Sequence, residues 1–127
     1  MEHKIVNTNQ APLPIGAYNQ GIITNGFVFT AGQVAIDPAT GSLIEGSFKD
    51  RVRQVMKNLN SILKESGTNF SNVAKFTVFL TDMSNYSAVN EVFSEFIKDS
   101  DAPARSLVAV SGLPAGTDIE IECIATV

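Results

Sequence analysis

The sequence predicts one α/β domain, a mixed sheet with two helices packed on one of its faces. Three observations carry that prediction. At 127 residues the chain, 1–127, is a single domain, and a domain of this size buries roughly two-thirds of the surface its unfolded chain exposes. The apolar residues change period along the chain: short alternating stretches, a long helical stripe, a strand, a second helical stripe, then two strands. The strand–helix–strand order in the second half normally forms a right-handed parallel unit. Charged residues make up 17% of the chain, against an average of about 25%. A chain short of charge hides surface, and oligomerisation is the usual way to do so.

The first element is a hairpin over 18–31. Gly21-Ile22-Ile23 and Phe27-Val28-Phe29 flank Asn25-Gly26, the strongest short turn signal. Asp37-Pro38 through Gly41 forms a further turn leading into Leu43-Ile44. The first helix follows, with Phe48, Val52, Val55, Met56, Leu59, Ile62 and Leu63 on one stripe over about four turns. Ser47 is its N-cap, Asp50 supplies the acid of a capping box and Gly67 closes it. Lys49, Arg53, Lys57 and Lys64 read as its solvated face. Val73 to Thr81 is β-branched and aromatic, hence a strand.

A second helix carries Tyr86, Val89, Val92, Phe93, Phe96 and Ile97 on one face, with Ser84 as its cap. Asp101-Ala102-Pro103 ends the helical region, and Leu107 to Val110 is the next strand. A turn at Gly112 to Gly116 precedes the last strand, Asp118 to Val127. Two helices cover only one face of such a sheet. Yet Phe76, Val78 and Leu80 alternate with Val73 and Phe79, and Phe27 and Phe29 alternate with Val28. A sheet apolar on both faces needs another subunit against the bare one.

Composition removes several classes of function. Net charge is −4, with nine Lys and Arg and no run of them, which disfavours nucleic acid as a partner. One Cys and one His make neither a disulfide nor a structural zinc site. Neither G-x-x-x-x-G-K nor G-x-G-x-x-G occurs, so no phosphate cradle is indicated. No basic-then-apolar leader and no apolar run of about 18 residues is visible, so a soluble cytoplasmic protein without membrane contact is expected. His3 reads as part of a terminal tail, and Cys123, in phase with Ile119 and Ile121, as an inert buried thiol.

Two features remain for chemistry. Arg105, in Pro103-Ala104-Arg105-Ser106, lies on the loop feeding a strand and is the only Arg outside the first helix. Its planar fork suits a carboxylate; an ordinary surface or ion-pair Arg is the competing reading. Strand alternation puts Asp118, Glu120 and Glu122 on one face, about 7 Å between successive members. They form either a solvated face or carboxylates in a cleft, where one of them could work as a general acid or base. Pattern does not choose between Glu120 and Glu122.

At these residues the chain resembles the reactive-intermediate deaminase family, many of whose members are 2-iminobutanoate/2-iminopropanoate deaminases. The similarity runs end to end. It takes in Ala11-Pro12, Ile15-Gly16-Ala17-Tyr18-Asn19-Gln20, Thr30-Ala31-Gly32-Gln33-Val34, Asp37-Pro38 and Thr40-Gly41. Further on it includes Thr77 to Met83, Val89-Asn90-Glu91-Val92-Phe93, Pro103-Ala104-Arg105-Ser106, Leu113-Pro114 and Ile119-Glu120-Ile121-Glu122.

The resemblance implies a chorismate-mutase-like fold, a homotrimer with a central β-barrel, and active sites between subunits. It also implies hydrolysis of 2-imino and enamine acids to 2-oxo acids and ammonia, with neither cofactor nor metal. On the matching positions Arg105 would bind the substrate carboxylate and Glu120 would position water. Tyr18 would lie at the site mouth and Asn90 would support the site. Backbone near Gly32 and Leu107 would complete the pocket. Many relatives carry Cys at the position of Leu107, Ser at Ala31 and Pro at Ala17, which bears on substrate range. Two other classes stay open: a non-catalytic metabolite-binding or chaperone-like trimer, and an endoribonuclease.

Overall fold

The computed structural model describes residues 2–127. Strands β1 (Lys4–Val6), β2 (Gly21–Thr24), β3 (Phe27–Thr30), β4 (Ile36–Asp37) and β5 (Ser42–Leu43) precede helix α1 (Phe48–Glu65). Then come β6 (Val73–Leu80), α2 (Tyr86–Phe96), β7 (Ala104–Ala109) and β8 (Ile119–Thr126). Six strands form one sheet in the order β1-β2-β3-β8-β6-β7, and β4 and β5 form a separate ribbon. Only β6 and β7 run parallel, joined by α2, and the other neighbours are antiparallel. The expected mixed sheet and its strand–helix–strand unit are therefore present.

Local chemistry explains the elements. Asn25 and Gly26 both take positive φ, 51° and 79°, as a two-residue turn matched to the strand twist requires. At the start of α1 the Ser47 hydroxyl accepts from the Asp50 N–H at 3.1 Å, while the Asp50 carboxylate accepts from the Ser47 N–H at 3.3 Å. Gly67 follows the helix at φ 83°. Val52, Val55, Met56, Leu59, Ile62 and Leu63 are fully buried, and the helix packs on β8, β3 and α2. Beneath it lie Val28, Phe76, Val78, Leu80, Ile119, Ile121, Cys123 and Ala125.

Among the described residues no helix covers the sheet's other face. Its register aligns Ile5 with Ile22, Ile22 with Phe29, Phe29 with Ile124, and Phe79 with Val108. Ile5, Phe27, Phe29 and Val108 are 38–50% exposed, so this face is bare and apolar in a single chain.

Several sequence expectations need correction. Val73, read as opposite in face to Phe76, is turned into the core beside it by an irregularity in register between Val73 and Lys75. Ser84 does not cap α2. The Asp82 carboxylate accepts from the Ser84 N–H at 2.9 Å and starts a 3-10 turn, Met83–Asn85, that runs into α2. Ile97 lies just past that helix in extended backbone. The chain beside His3 is strand β1 paired with β2, and not a tail. Arg105 lies inside β7, because pairing with β6 begins at Ala104. The cationic face of α1 is only partly solvated: Arg53 pairs with Glu95 at 2.9 Å and Lys49 with Glu91, both on α2.

Asp118 also leaves the acidic face assigned to it, since it precedes β8, where alternation does not yet hold. Its two carboxylate oxygens accept from Arg51 Nε at 2.9 Å and Nη2 at 2.7 Å, while Arg51 Nη1 donates to the Gly46 carbonyl at 2.7 Å. This fork ties α1 to the root of β8, and hydrogen bonding to Asp118 raises the Arg51 guanidinium above its ordinary value. Both side chains are about three-quarters buried. Arg51→Ala should lower the unfolding free energy by about 1–2 kcal/mol, measured by urea denaturation. Arg51→Lys should recover only part, because an ammonium cannot reproduce the fork.

Candidate functional site

Arg105 stands opposite Phe76 in the β6–β7 register, so its side chain leaves the sheet on the helix side. There Nη2 donates to Asn90 Oδ1 at 2.7 Å. The guanidinium carbon lies 5.1 Å from the Phe93 ring centroid and 5.8 Å from that of Tyr86. Phe76, Ile97, Ala102 and Pro103 wall an adjoining crevice of about 230 Å³. Among the described residues no carboxylate pairs with Arg105. No ion pair within the described residues therefore accounts for Arg105, and most of its five donors meet no acceptor there. Leu107, aligned with Val78, follows on the same face and packs against the core.

Glu120 stands opposite Phe79 and leaves the sheet on the bare side. It lines a shallow concavity with Tyr18, Ala31, Gly32 and Pro114. The segment 31–33 is pinned there by two hydrogen bonds between Gln33 and Ile121, at 2.8 and 3.0 Å, and by the Ala31 N–H donating to the Gln20 carbonyl. A Cβ on Gly32 would lie 2.4 Å from Glu120 Oε1 and 2.9 Å from its carboxyl carbon. A side chain there would push the Glu120 carboxyl aside, so glycine lets the carboxyl rest on the backbone. Burial first, and the Glu122 charge second, push the Glu120 pKa above its ordinary value. Tyr18, half exposed, accepts the Ile15 N–H on its hydroxyl at 3.1 Å.

The six residues implied by the resemblance therefore form two groups. Arg105, Asn90 and Leu107 lie on the helix side; Tyr18, Gly32 and Glu120 lie on the bare side. Within one chain the sheet separates them. Glu122, opposite Thr77, shares the bare face with Glu120 but does not line the concavity. Cys123 is buried, and burial raises its thiol to about 12, which rules out a thiolate nucleophile near neutral pH. His3 is exposed and lines neither depression. The sequence reading missed Tyr86 and Phe93 as neighbours of Arg105. Their spacing with Asn90, at i, i+4 and i+7, was the available signal. No helix among the described residues is long and apolar enough to cross a membrane.

Comparison with known proteins adds the family context. The sequence model of a family described as endoribonuclease L-PSP matches residues 8–127. A RutC family protein of Synechocystis is 47% identical, with 98% of this chain and 97% of that protein covered. The 2-iminobutanoate/2-iminopropanoate deaminase of Rattus norvegicus is 39% identical over 96% of this chain and 88% of its own length. The crystal structure of a Rid family protein of unknown function from Yersinia pestis superimposes with a TM-score of 0.96 at 40% identity, covering 99% of this chain and all of that one.

The raised Glu120 pKa has a definite sign. A carboxyl whose folded pKa lies above the unfolded one favours folding while protonated, and that contribution is lost as pH rises through the folded value. Glu120→Gln should therefore raise the thermal midpoint at pH 7, and the gain should vanish below the ordinary value of 4.5. Paired thermal melts of the two proteins from pH 3 to 8 check this. A gain that persists at pH 3 would show that packing, and not ionisation, is responsible.

Proposed function

The chain belongs to the endoribonuclease L-PSP family, and on that premise we propose that it is a hydrolytic deaminase of reactive 2-imino and enamine acids. Its substrates on this reading are 2-iminobutanoate, 2-iminopropanoate and similar short acids, the activity for which the rat relative is named. The observation that carries the reading is the Arg105 fork, held by one amide and two rings with no carboxylate of its own. Such a fork suits a planar carboxylate better than a lysine does.

In the reaction, water adds to C2 of the imine as Glu120 takes one of its protons. The C=N π pair moves to nitrogen, which receives that proton back from Glu120 to give the carbinolamine. Glu120 then relays the C2 hydroxyl proton to nitrogen, the C–N bond breaks with its electron pair leaving as ammonia, and C2 becomes the carbonyl of the 2-oxo acid. A carboxyl with a raised pKa suits both transfers. These transfers use only water and the protein's own residues.

Because the sheet separates Arg105 from Glu120, one substrate meets both only if two copies share it. A homotrimer that closes the bare apolar faces into a central barrel satisfies that need and covers Phe27, Phe29 and Val108. The family's endoribonuclease description supports an alternative reading, but among the described residues no His lies near either group. Salt-sensitive RNA binding would favour it.

The decisive assay generates 2-aminoacrylate or 2-aminocrotonate with a threonine dehydratase and follows 2-oxo acid release. Arg105→Ala should lower kcat/KM by about a hundredfold or more, with little rescue by Arg105→Lys. Glu120→Gln should lower kcat by about 10²–10⁴-fold while leaving 2-oxobutanoate binding intact; Glu122→Gln should cost less than about tenfold. Unchanged turnover in Arg105→Ala removes the clamp. A monomer by light scattering at micromolar concentration removes the shared site.

A further inference from the structure

We propose that Tyr86 and Phe93 are positioning residues that hold the Arg105 guanidinium in a fixed plane, so that a carboxylate can reach it only along its open edge. The inference rests on Arg105 being the carboxylate clamp. Tyr86, Asn90 and Phe93 lie at i, i+4 and i+7 of α2 and so share one stripe of that helix. Phe93 is 8% exposed and stacks edge-on against Phe76, with ring centroids 5.1 Å apart at 74°. Phe76 is itself the cross-strand neighbour of Arg105, so the Phe93 ring is held by the same sheet that carries the guanidinium.

Both ring centroids lie within the roughly 6 Å at which a cation is drawn to an aromatic face. Asn90, between them on the stripe, accepts from Nη2 at 2.7 Å and stops the fork from turning in its plane. Rings restrain the tilt and the amide restrains the rotation. The remaining N–H groups then point outward in the flat pair that a carboxylate accepts. Tyr86 is 44% exposed, and its hydroxyl makes no hydrogen bond among the described residues. Core packing therefore does not account for an aromatic residue there, whereas contact with Arg105 does.

The test titrates 2-oxobutanoate calorimetrically onto the full-length wild type and the Tyr86→Leu, Tyr86→Phe and Arg105→Ala variants, beside dehydratase-coupled kinetics and thermal melts. Tyr86→Leu should raise Kd and KM together by about two- to fivefold, the range of an exposed cation–ring contact. Its kcat and thermal midpoint should stay as in the wild type, and Tyr86→Phe should restore binding. Phe93→Leu should weaken binding further, whereas Val92→Ala, a core loss on the same helix, should lower the midpoint without moving Kd. Wild-type binding in Tyr86→Leu, or equal losses in Tyr86→Leu and Tyr86→Phe, would overturn the proposal while leaving the clamp. Matching Kd changes in Phe93→Leu and Val92→Ala would also overturn it. Unchanged binding in Arg105→Ala would remove the clamp and this inference together.

Discussion

The register of β8 is the constraint on which the remaining structure depends. Ile119, Ile121, Cys123 and Ala125 are locked under α1, so the intervening Glu120 and Glu122 must leave on the opposite face. A slip of one residue would bury both acids and expose four apolar side chains. Three independent contacts oppose that slip. The strand pairs with β6 along seven residues from Ile119 to Ala125. The bridge to Gln33 fixes Ile121, and the Arg51 fork fixes Asp118 at its root. The Gln33 bridge has a second effect, because it lays Gly32 against the Glu120 carboxyl, which a Cβ at that position would displace.

On the other side of the sheet, α2 combines two tasks on neighbouring stripes. Val89, Val92 and Phe93 fill the core, while Tyr86, Asn90 and Phe93 meet Arg105. Phe93 belongs to both sets, so the packing that stabilises the parallel unit also orients the guanidinium. The ion pairs of Arg53 with Glu95 and Lys49 with Glu91 lie on the exposed side of the two helices. Exposed pairs contribute little, and the aromatic cluster of Phe70, Phe76, Phe93 and Phe96 is the stronger restraint on where α2 sits.

Elements governed by local chemistry were legible in the sequence: the Asn25-Gly26 hairpin, the capping box and stripe of α1, strand β6, and a sheet apolar on both faces. Elements governed by competition or by distant pairing were not. Asp82, Ser84 and Asn85 are equally plausible caps by residue type, and only the backbone geometry selects Asp82. Strands β1, β4 and β5, two or three residues long, are too short to show a period. Arg105 looked like a loop residue because Pro103 precedes it and nothing local signals that β6 will recruit Ala104. The deeper difficulty lay in the faces. Alternation within β7 and β8 was readable, but a sheet apolar on both sides offers no sequence cue to which face each strand assigns to a given parity. Hence Arg105 was singled out by its chemistry, and Glu120 over Glu122 by likeness alone, while the two-sided sheet left their separation unread.

That separation leaves each group ordered before any meeting. Arg105 rests on an amide and two rings; Glu120 rests on the Gly32 backbone. On the proposed reading, association of two copies therefore brings together parts that need little rearrangement, which lowers the ordering cost of forming the composite site. It also changes the acid. In a single chain Glu120 lies on a face open to water, where its pKa is raised chiefly by partial burial. Covering that face removes more water from the carboxyl and strengthens the effect of Glu122, and both favour the neutral form. The Arg105 fork of the second copy would act in the opposite sense and favour the charged form. On the proposed reading the acid–base balance of Glu120 is therefore set by what the second copy brings to the bare face, water exclusion against a cation, without any change in the residues themselves.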